Sequence, residues 1–144
     1  MWVALLIALF SGVAMAIQGS LNSALGKIIG LLHATLVVHL TATLLVIALI
    51  FFRLNDGGSL GKLWHSPWYL WLGGIIGVFI TYGVVASIPR VGVAWATTAI
   101  IVGQVTTALI IDHFGLFGLE KIPFTLWKII GILLLATGAR FMLN

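Results

Sequence analysis

Long, unbroken apolar segments are the feature that most limits what this chain can fold into. A helix needs roughly 20 apolar residues to cross the hydrocarbon core of a bilayer, and five segments approach that length, at about residues 2–25, 32–52, 68–88, 93–114 and 125–143. Charged residues make up only 7% of the chain, against about 25% in a typical soluble domain. We therefore predict an all-α integral membrane protein, in which residues 1–144 form a single transmembrane domain of five spanning helices.

The residues that the chain lacks argue against several functional classes. There is no cysteine, and hence no disulfide framework or thiol chemistry. The sequence has no nucleotide-binding glycine loop, GxSxG or HExxH motif, and its three acids are scattered at Asp56, Asp112 and Glu120. We expect no enzyme activity, no cofactor, no metal site and no nucleic-acid partner. The net charge of +4 is expected to contact anionic lipids at helix ends.

The basic residues are divided almost evenly between the two sides of the membrane. The side that holds the N-terminus has four of them and the opposite side three, namely Arg53, Lys62, Lys121 and Lys128 against Lys27, Arg90 and Arg140. A protein with a fixed orientation usually shows a clear Lys/Arg excess on its cytoplasmic side. We therefore hypothesise that the chain inserts in both orientations and forms an antiparallel homodimer, whose ten helices would follow an inverted-repeat plan.

Glycines recur at regular spacing in two of the predicted helices. Gly12, Gly19 and Gly26 repeat every seven residues in the first helix, and Gly73 and Gly77 form a GxxxG pattern in the third. Stripes of small residues let two helix backbones approach closely, so these five positions are predicted to serve helix packing.

Uncharged polar side chains inside the predicted helices are candidates for a solute path. Gln18 and Asn22 are four residues apart and share one face of the first helix. His39 lies inside the second helix, Tyr82 inside the third and Gln104 inside the fourth. Each of these side chains could instead make a hydrogen bond that holds two helices together, and the sequence leaves both interpretations open.

The fourth helix has the most informative polar pattern. At 100° per residue, Thr97, Gln104 and Ala108 lie within about 40° of one another, and Asp112 lies at the edge of that face. Because Gln104 is the deeper of the two polar residues, it is the stronger candidate for contact with a solute.

Asp112 and His113 lie near the end of this helix. An ionisable group inside a membrane is a site candidate by default, although an acid at a helix C-terminus is disfavoured by the helix dipole. Something must offset that cost, and two roles are open. One is a structural ion pair between Asp112 and a nearby base that holds the following loop, and the other is a gate linked to protons or substrate. The nearby bases are His113, Lys121 and Lys128.

Four segments spread over nearly the whole chain together resemble a known family. They are QGSLNSALG in the first helix, LGGIIGVF at the start of the third, IPRVGVAWATTAIIVGQ leading into the fourth and IIDHFGLFG at its end. In these segments the chain resembles the YdcZ family of the drug/metabolite transporter superfamily, and the most specific part is the pairing of G-Q with D-H-F-G eight residues on. The positions that match are Gln18, Asn22, Gly103, Gln104, Asp112, His113 and Gly115.

The resemblance implies a five-helix bundle per chain, pairing of such short chains, and secondary transport across the inner membrane. Small multidrug resistance relatives place an embedded Glu in their first helix, whereas this chain offers Gln18 and Asn22 there. Proton-coupled export of cations is therefore not carried over, and an uncharged lining also suits a neutral, zwitterionic or anionic solute.

We expect a dimeric secondary transporter that moves a small polar organic solute across the bacterial inner membrane. Gln18, Asn22 and Gln104 would line its path near the dimer axis, with Tyr82 and His39 as second candidates. Two alternatives are a non-transporting subunit or regulator that packs against a larger partner, and a passive channel with a continuous wet pore.

Overall fold

The computed structural model describes residues 1–52 and 57–142, and the regular structure within them is entirely helical. The prediction of an all-α membrane protein is confirmed at this level. Arg53, Asp56 and Leu143, on which parts of the sequence analysis relied, lie outside the described residues. The five α-helices are α1 Trp2–Ile29, α2 Leu31–Phe51, α3 Leu72–Val91, α4 Val93–Phe114 and α5 Leu126–Met142.

Four of the helical segments are long and apolar enough to cross a membrane, namely Trp2–Ile29, Leu31–Phe51, Trp68–Val91 and Val93–Phe114. At 1.5 Å per residue, the 28 residues of α1 extend about 42 Å and the 21 residues of α2 about 31 Å, enough for a hydrocarbon core of about 30 Å. The 17 described residues of α5 extend only about 26 Å. The fifth span therefore stays a prediction.

Single glycines separate consecutive helices where the sequence had suggested longer breaks. The first helix was expected to end near Leu25 and the third near Ile88, but α1 continues to Ile29 and α3 continues to Val91. Gly30 and Gly92 follow these ends with φ values of +88°, a conformation that costs glycine little and other residues much more. The chain can therefore leave each helix within one residue, and the preceding residues stay helical.

The segment before α3 is more ordered than a polar loop. Two 3-10 turns, Leu60–His65 and Trp68–Trp71, lead into the helix, which begins at Leu72, four residues later than expected. The indole N–H of Trp71 donates to the hydroxyl of Ser66 at 2.9 Å, and the rings of Trp64 and Trp71 meet edge to face at 5.7 Å. These contacts give the aromatic side chains fixed positions at the end of a membrane span.

Residues Met1–Arg90 form one compact unit, in which α1 packs against α2 and α3 approaches α1 at two glycines. A Cβ atom on Gly19 would lie 3.0 Å from Val84 Cγ1, and one on Gly26 would lie 2.5 Å from Val85 Cγ1. Both glycines are buried, so α1 and α3 are closer here than any side chain on α1 would allow.

The other three glycines of the predicted stripes have more open surroundings. A Cβ on Gly12 or Gly73 would meet no atom of the described residues within 4 Å, and one on Gly77 would lie 3.7 Å from the Nε2 atom of His39. Within this unit, close helix packing therefore falls on Gly19 and Gly26.

Residues Val91–Asn144 form the second compact unit. Within it α4 packs against α5, and the connection between them includes a short 3-10 turn, Leu116–Gly118. The two units are described separately below, since the candidate residues Gln18, Asn22, His39 and Tyr82 belong to the first and Gln104, Asp112 and His113 to the second.

Candidate functional site

Hydroxyl groups on the long apolar helices are largely satisfied within their own helix. At each of several positions the hydroxyl donates to the carbonyl four residues earlier, at 2.8–2.9 Å. This bond satisfies the hydroxyl within its own helix, so in an apolar medium the hydroxyl needs neither water nor a second partner. The residues that make it include Ser11, Ser20, Thr35, Thr43, Thr98 and Thr106.

The two carboxamides of α1 differ from these hydroxyls because they lack any internal partner. Neither Gln18 nor Asn22 makes a side-chain hydrogen bond to another described residue. Gln18 is exposed and Asn22 half-buried, and their spacing of four residues places both on one face of the helix. The two amides therefore present donors and acceptors that a solute, water or a second copy of the chain must satisfy.

Gln104 shows the same property in α4. Its side chain is exposed and has no hydrogen-bond partner among the described residues, whereas Thr106, two residues later, donates to Val102 at 2.8 Å. The carboxamide is thus unsatisfied among the described residues, as are the hydroxyls of Thr97 and Thr107 on the same helix.

A groove of about 480 Å³ opens between α4 and α5. Thr97 contributes to its lining and lies within about 40° of Gln104 around the helix axis. The lining is otherwise mostly apolar, and it is formed by Ala94, Thr97, Thr98, Ile101, Leu134, Leu135, Gly138, Ala139 and Met142. Gln104 does not line this groove, so the groove and the unsatisfied amide are related only through the helix face that carries Thr97.

His39 and Tyr82 were the second candidates for a solute path, and the structure describes the bonding of each. The Nδ1 atom of His39 lies 2.9 Å from the carbonyl oxygen of Thr35, so one side of the imidazole is fixed to its own helix. The hydroxyl of Tyr82 has no hydrogen-bond partner among the described residues, and its side chain is exposed. Both side chains lie on helices of the first unit.

The chain segment after α4 is held to the end of that helix by backbone contacts. Gly115 adopts the left-handed conformation at the helix end, with φ +62°, and its N–H donates to the carbonyl of Asp112 at 3.3 Å. The N–H of Ile122 donates to the same carbonyl at 2.8 Å. The loop of residues 115–124, here called the α4–α5 loop, thus returns to the helix that it leaves.

His113 makes the second connection between α4 and this loop. Its Nδ1 atom accepts a hydrogen bond from the backbone N–H of Phe124 at 3.1 Å, and the two rings lie 4.8 Å apart. The ring of Phe114 lies 4.9 Å away and meets the imidazole edge to face. One imidazole therefore fastens the far end of the loop through a hydrogen bond and ring packing.

The ion pair that was one of the two roles open for Asp112 is not formed within residues 1–52 and 57–142. The carboxylate of Asp112 has no partner there, and the Lys128 ammonium donates to the carbonyl of Pro123 at 3.2 Å. The loop is held by the backbone carbonyl of Asp112 and by the His113 ring, because these groups point along the helix end toward the returning chain. The carboxylate is left half-buried and free for another role.

Sequence reasoning missed two of these contacts. The bond from His39 to Thr35 follows from a spacing of four residues on one helix, a signal that was present in the sequence. The bond from Phe124 to His113 joins residues eleven apart across an irregular loop, and no periodic sequence pattern predicts such a bond. Gly115 marked where the helix ends but not where the chain returns.

Comparison with known proteins identifies one family. The sequence model of a family described as "Putative inner membrane exporter, YdcZ" matches residues 3–141, nearly the whole chain. No curated protein and no solved structure matches the chain.

Proposed function

The chain belongs to the YdcZ family of inner-membrane exporters, and from this premise we propose that it is a secondary transporter of a small polar organic solute. It is a multi-pass protein of the inner membrane. The proposal extends to a homodimer, whose two copies would together enclose the solute path.

The observation that carries the proposal is the contrast between two kinds of polar side chain in the membrane. Most of the helix hydroxyls donate to carbonyls of their own helix, whereas Gln18, Asn22 and Gln104 have no partner in the described part of the chain. An unpaired amide in an apolar medium costs about 1–3 kcal/mol on the scale of protein mutations. A polar solute that passes these amides offsets that cost by pairing with them, and its own polar groups are satisfied at the same time.

Uncharged amides suit a solute that is neutral, zwitterionic or anionic just as well as a cation. Carboxamides offer both donors and acceptors, and they carry no charge. Within this assignment Gln18, Asn22 and Gln104 line the path, Tyr82 and His39 are second contacts, and Asp112 and His113 form a gate at one end.

Replacing Gln104 tests the assignment of the path. The solute would first be identified by a thermal-shift screen of the purified protein against small metabolites and quaternary amines. In liposomes the Gln104→Ala variant is expected to lower solute flux about 5- to 150-fold, because a solute group left unpaired costs about 1–3 kcal/mol.

Thr106→Val is the matched control for this variant. Its hydroxyl lies on the same helix but is already bonded to Val102, so the flux of this variant should stay near that of the unmodified protein. Normal flux by Gln104→Ala would refute the assignment. A purified protein that shows no flux for any solute in the screen would favour a non-transporting subunit, and fast, unsaturable flux would favour a channel.

The antiparallel homodimer is tested by labelling. The chain has no cysteine, so a single cysteine added at either terminus is a unique label site. If both orientations occur, an impermeant thiol reagent added to intact cells should modify part of each population. Modification of only one terminus would show a single orientation and would contradict dual insertion.

A further inference from the structure

We propose that the Nε2 atom of His39 binds a hydrogen-bond donor, an N–H or O–H group, of the transported solute at a gap between α2 and α3. This inference rests on the proposed transport function and adds the chemistry that one residue of the path recognises.

The protonation of the His39 ring follows from its bond to Thr35. A carbonyl oxygen can only accept a hydrogen bond, so the Nδ1 atom at 2.9 Å from the Thr35 carbonyl carries a proton and donates it. A neutral imidazole has one donor and one acceptor nitrogen. The Nε2 atom therefore presents a lone pair, and the bond at Nδ1 fixes the direction in which that lone pair points.

A glycine of α3 lies beside this nitrogen. A Cβ atom on Gly77 would lie 3.7 Å from His39 Nε2, an ordinary van der Waals contact, so glycine leaves beside the acceptor the small space that a larger side chain would fill. Nε2 has no hydrogen-bond partner among the described residues, and both His39 and Gly77 are half-buried. An acceptor in an apolar medium needs a donor, and the gap at Gly77 gives one access.

The described part of the same unit offers no acidic side chain as a partner for this ring. The described residues of Met1–Arg90 include no Asp or Glu, so no carboxylate among them competes for the site beside Nε2, which stays open to a solute donor. The titratable side chains on the helices of this unit are Lys27 on α1, His33 on α2, and Tyr82 and Arg90 on α3, with Lys62, His65 and Tyr69 in the segment before α3.

Two neutral urea isomers supply a matched pair of probes. N-butylurea has three N–H groups, whereas tetramethylurea has the same atomic composition and none. In protein labelled with ¹⁵N-histidine, the Nε2 resonance of His39 is expected to move saturably toward the protonated position with N-butylurea and to stay fixed with tetramethylurea. The inference would be overturned if the chemical shift of Nε2 did not change with N-butylurea, or if it changed equally with both isomers.

Two substitutions distinguish solute binding from a purely structural role. Asparagine places its amide near Nδ1 of the imidazole and can keep the bond to Thr35, whereas glutamine places its carbonyl near Nε2 and can keep the acceptor. Binding of N-butylurea, followed by ligand-observed NMR, should stay within about threefold for His39→Gln. It should fall about 3- to 10-fold for His39→Asn, the loss of one neutral hydrogen bond. The reverse order would show that only the bond to Thr35 matters.

The gap is tested independently of His39. Gly77→Val should fill the space before Nε2 and abolish the response to N-butylurea, whereas Gly74→Val is the control, since a Cβ at Gly74 meets no described atom within 4 Å. Equal responses in the two variants would contradict the proposed entry point. These measurements need no transport: a Gln104→Ala protein with normal flux refutes the proposed path and leaves the Nε2 response intact.

Discussion

Gly26→Ala is expected to lower the free energy of unfolding by about 1–3 kcal/mol, the usual cost of inserting a methyl group into a packed core. The new Cβ would lie 2.5 Å from Val85 Cγ1, well inside van der Waals contact. Val85 is fully buried, and a β-branched side chain in a helix has essentially one χ1 rotamer, so the methyl cannot turn away. The free energy would be measured by denaturant titration in detergent, followed by tryptophan fluorescence.

Helix propensity acts in the opposite direction and sets the scale for the control. Alanine is favoured over glycine in a helix by up to about 1 kcal/mol, so Gly12→Ala, with no described neighbour within 4 Å, should be neutral or stabilising. Adding Val85→Ala to Gly26→Ala should recover much of the lost stability, because it removes the atom that clashes. If Gly26→Ala were as stable as Gly12→Ala, α1 and α3 would not be in close contact at Gly26.

The parts of the fold that the sequence predicted are those governed by composition and periodicity. Apolar length alone located α2 and α4 to within one residue at each end, since a membrane span has a fixed minimum length. The ends of α1 and α3 were placed too early, near residues 25 and 88, because Lys27 and Pro89 do not end these helices. A cation in the last turn is favourable to a helix, and the chain leaves each helix only at the following glycine.

The same distinction applies to the candidate site: its residue positions follow from periodicity, and their contacts do not. Sequence spacing identified Gln18, Asn22 and Gln104 as polar residues inside helices, but whether each has a partner depends on three-dimensional contacts that no spacing encodes. Hydroxyls and carboxamides look equally polar in the sequence. In the structure most hydroxyls turn back to their own backbone, and the carboxamides do not.

The α4–α5 loop is expected to loosen when His113 loses its acceptor nitrogen, in the variant His113→Phe. The Phe124 N–H donates to His113 Nδ1, and phenylalanine keeps an aromatic ring against Phe124 but offers no acceptor. Hydrogen exchange at the Phe124 amide, expressed as a protection factor, should show a decrease of about 2- to 12-fold, equivalent to about 0.5–1.5 kcal/mol.

Two further variants assign this loss to the ring nitrogen. His113→Asn offers a carbonyl near the position of Nδ1 and should keep most of the protection at Phe124. Asp112→Asn removes the neighbouring acid and should leave the protection unchanged, since only the backbone carbonyl of Asp112 bonds to the loop.

The amide of Ile122 is the internal reference for the same measurement. It donates to the carbonyl of Asp112 at 2.8 Å, a bond that does not involve the imidazole, so in His113→Phe its protection should fall less than that of Phe124. A selective loss at Phe124 would mean that the imidazole nitrogen holds only the end of the loop nearest α5. Equal losses at both amides, or no loss at Phe124, would mean that the bond to His113 does not fasten this end of the loop, and the assignment to His113 would be wrong.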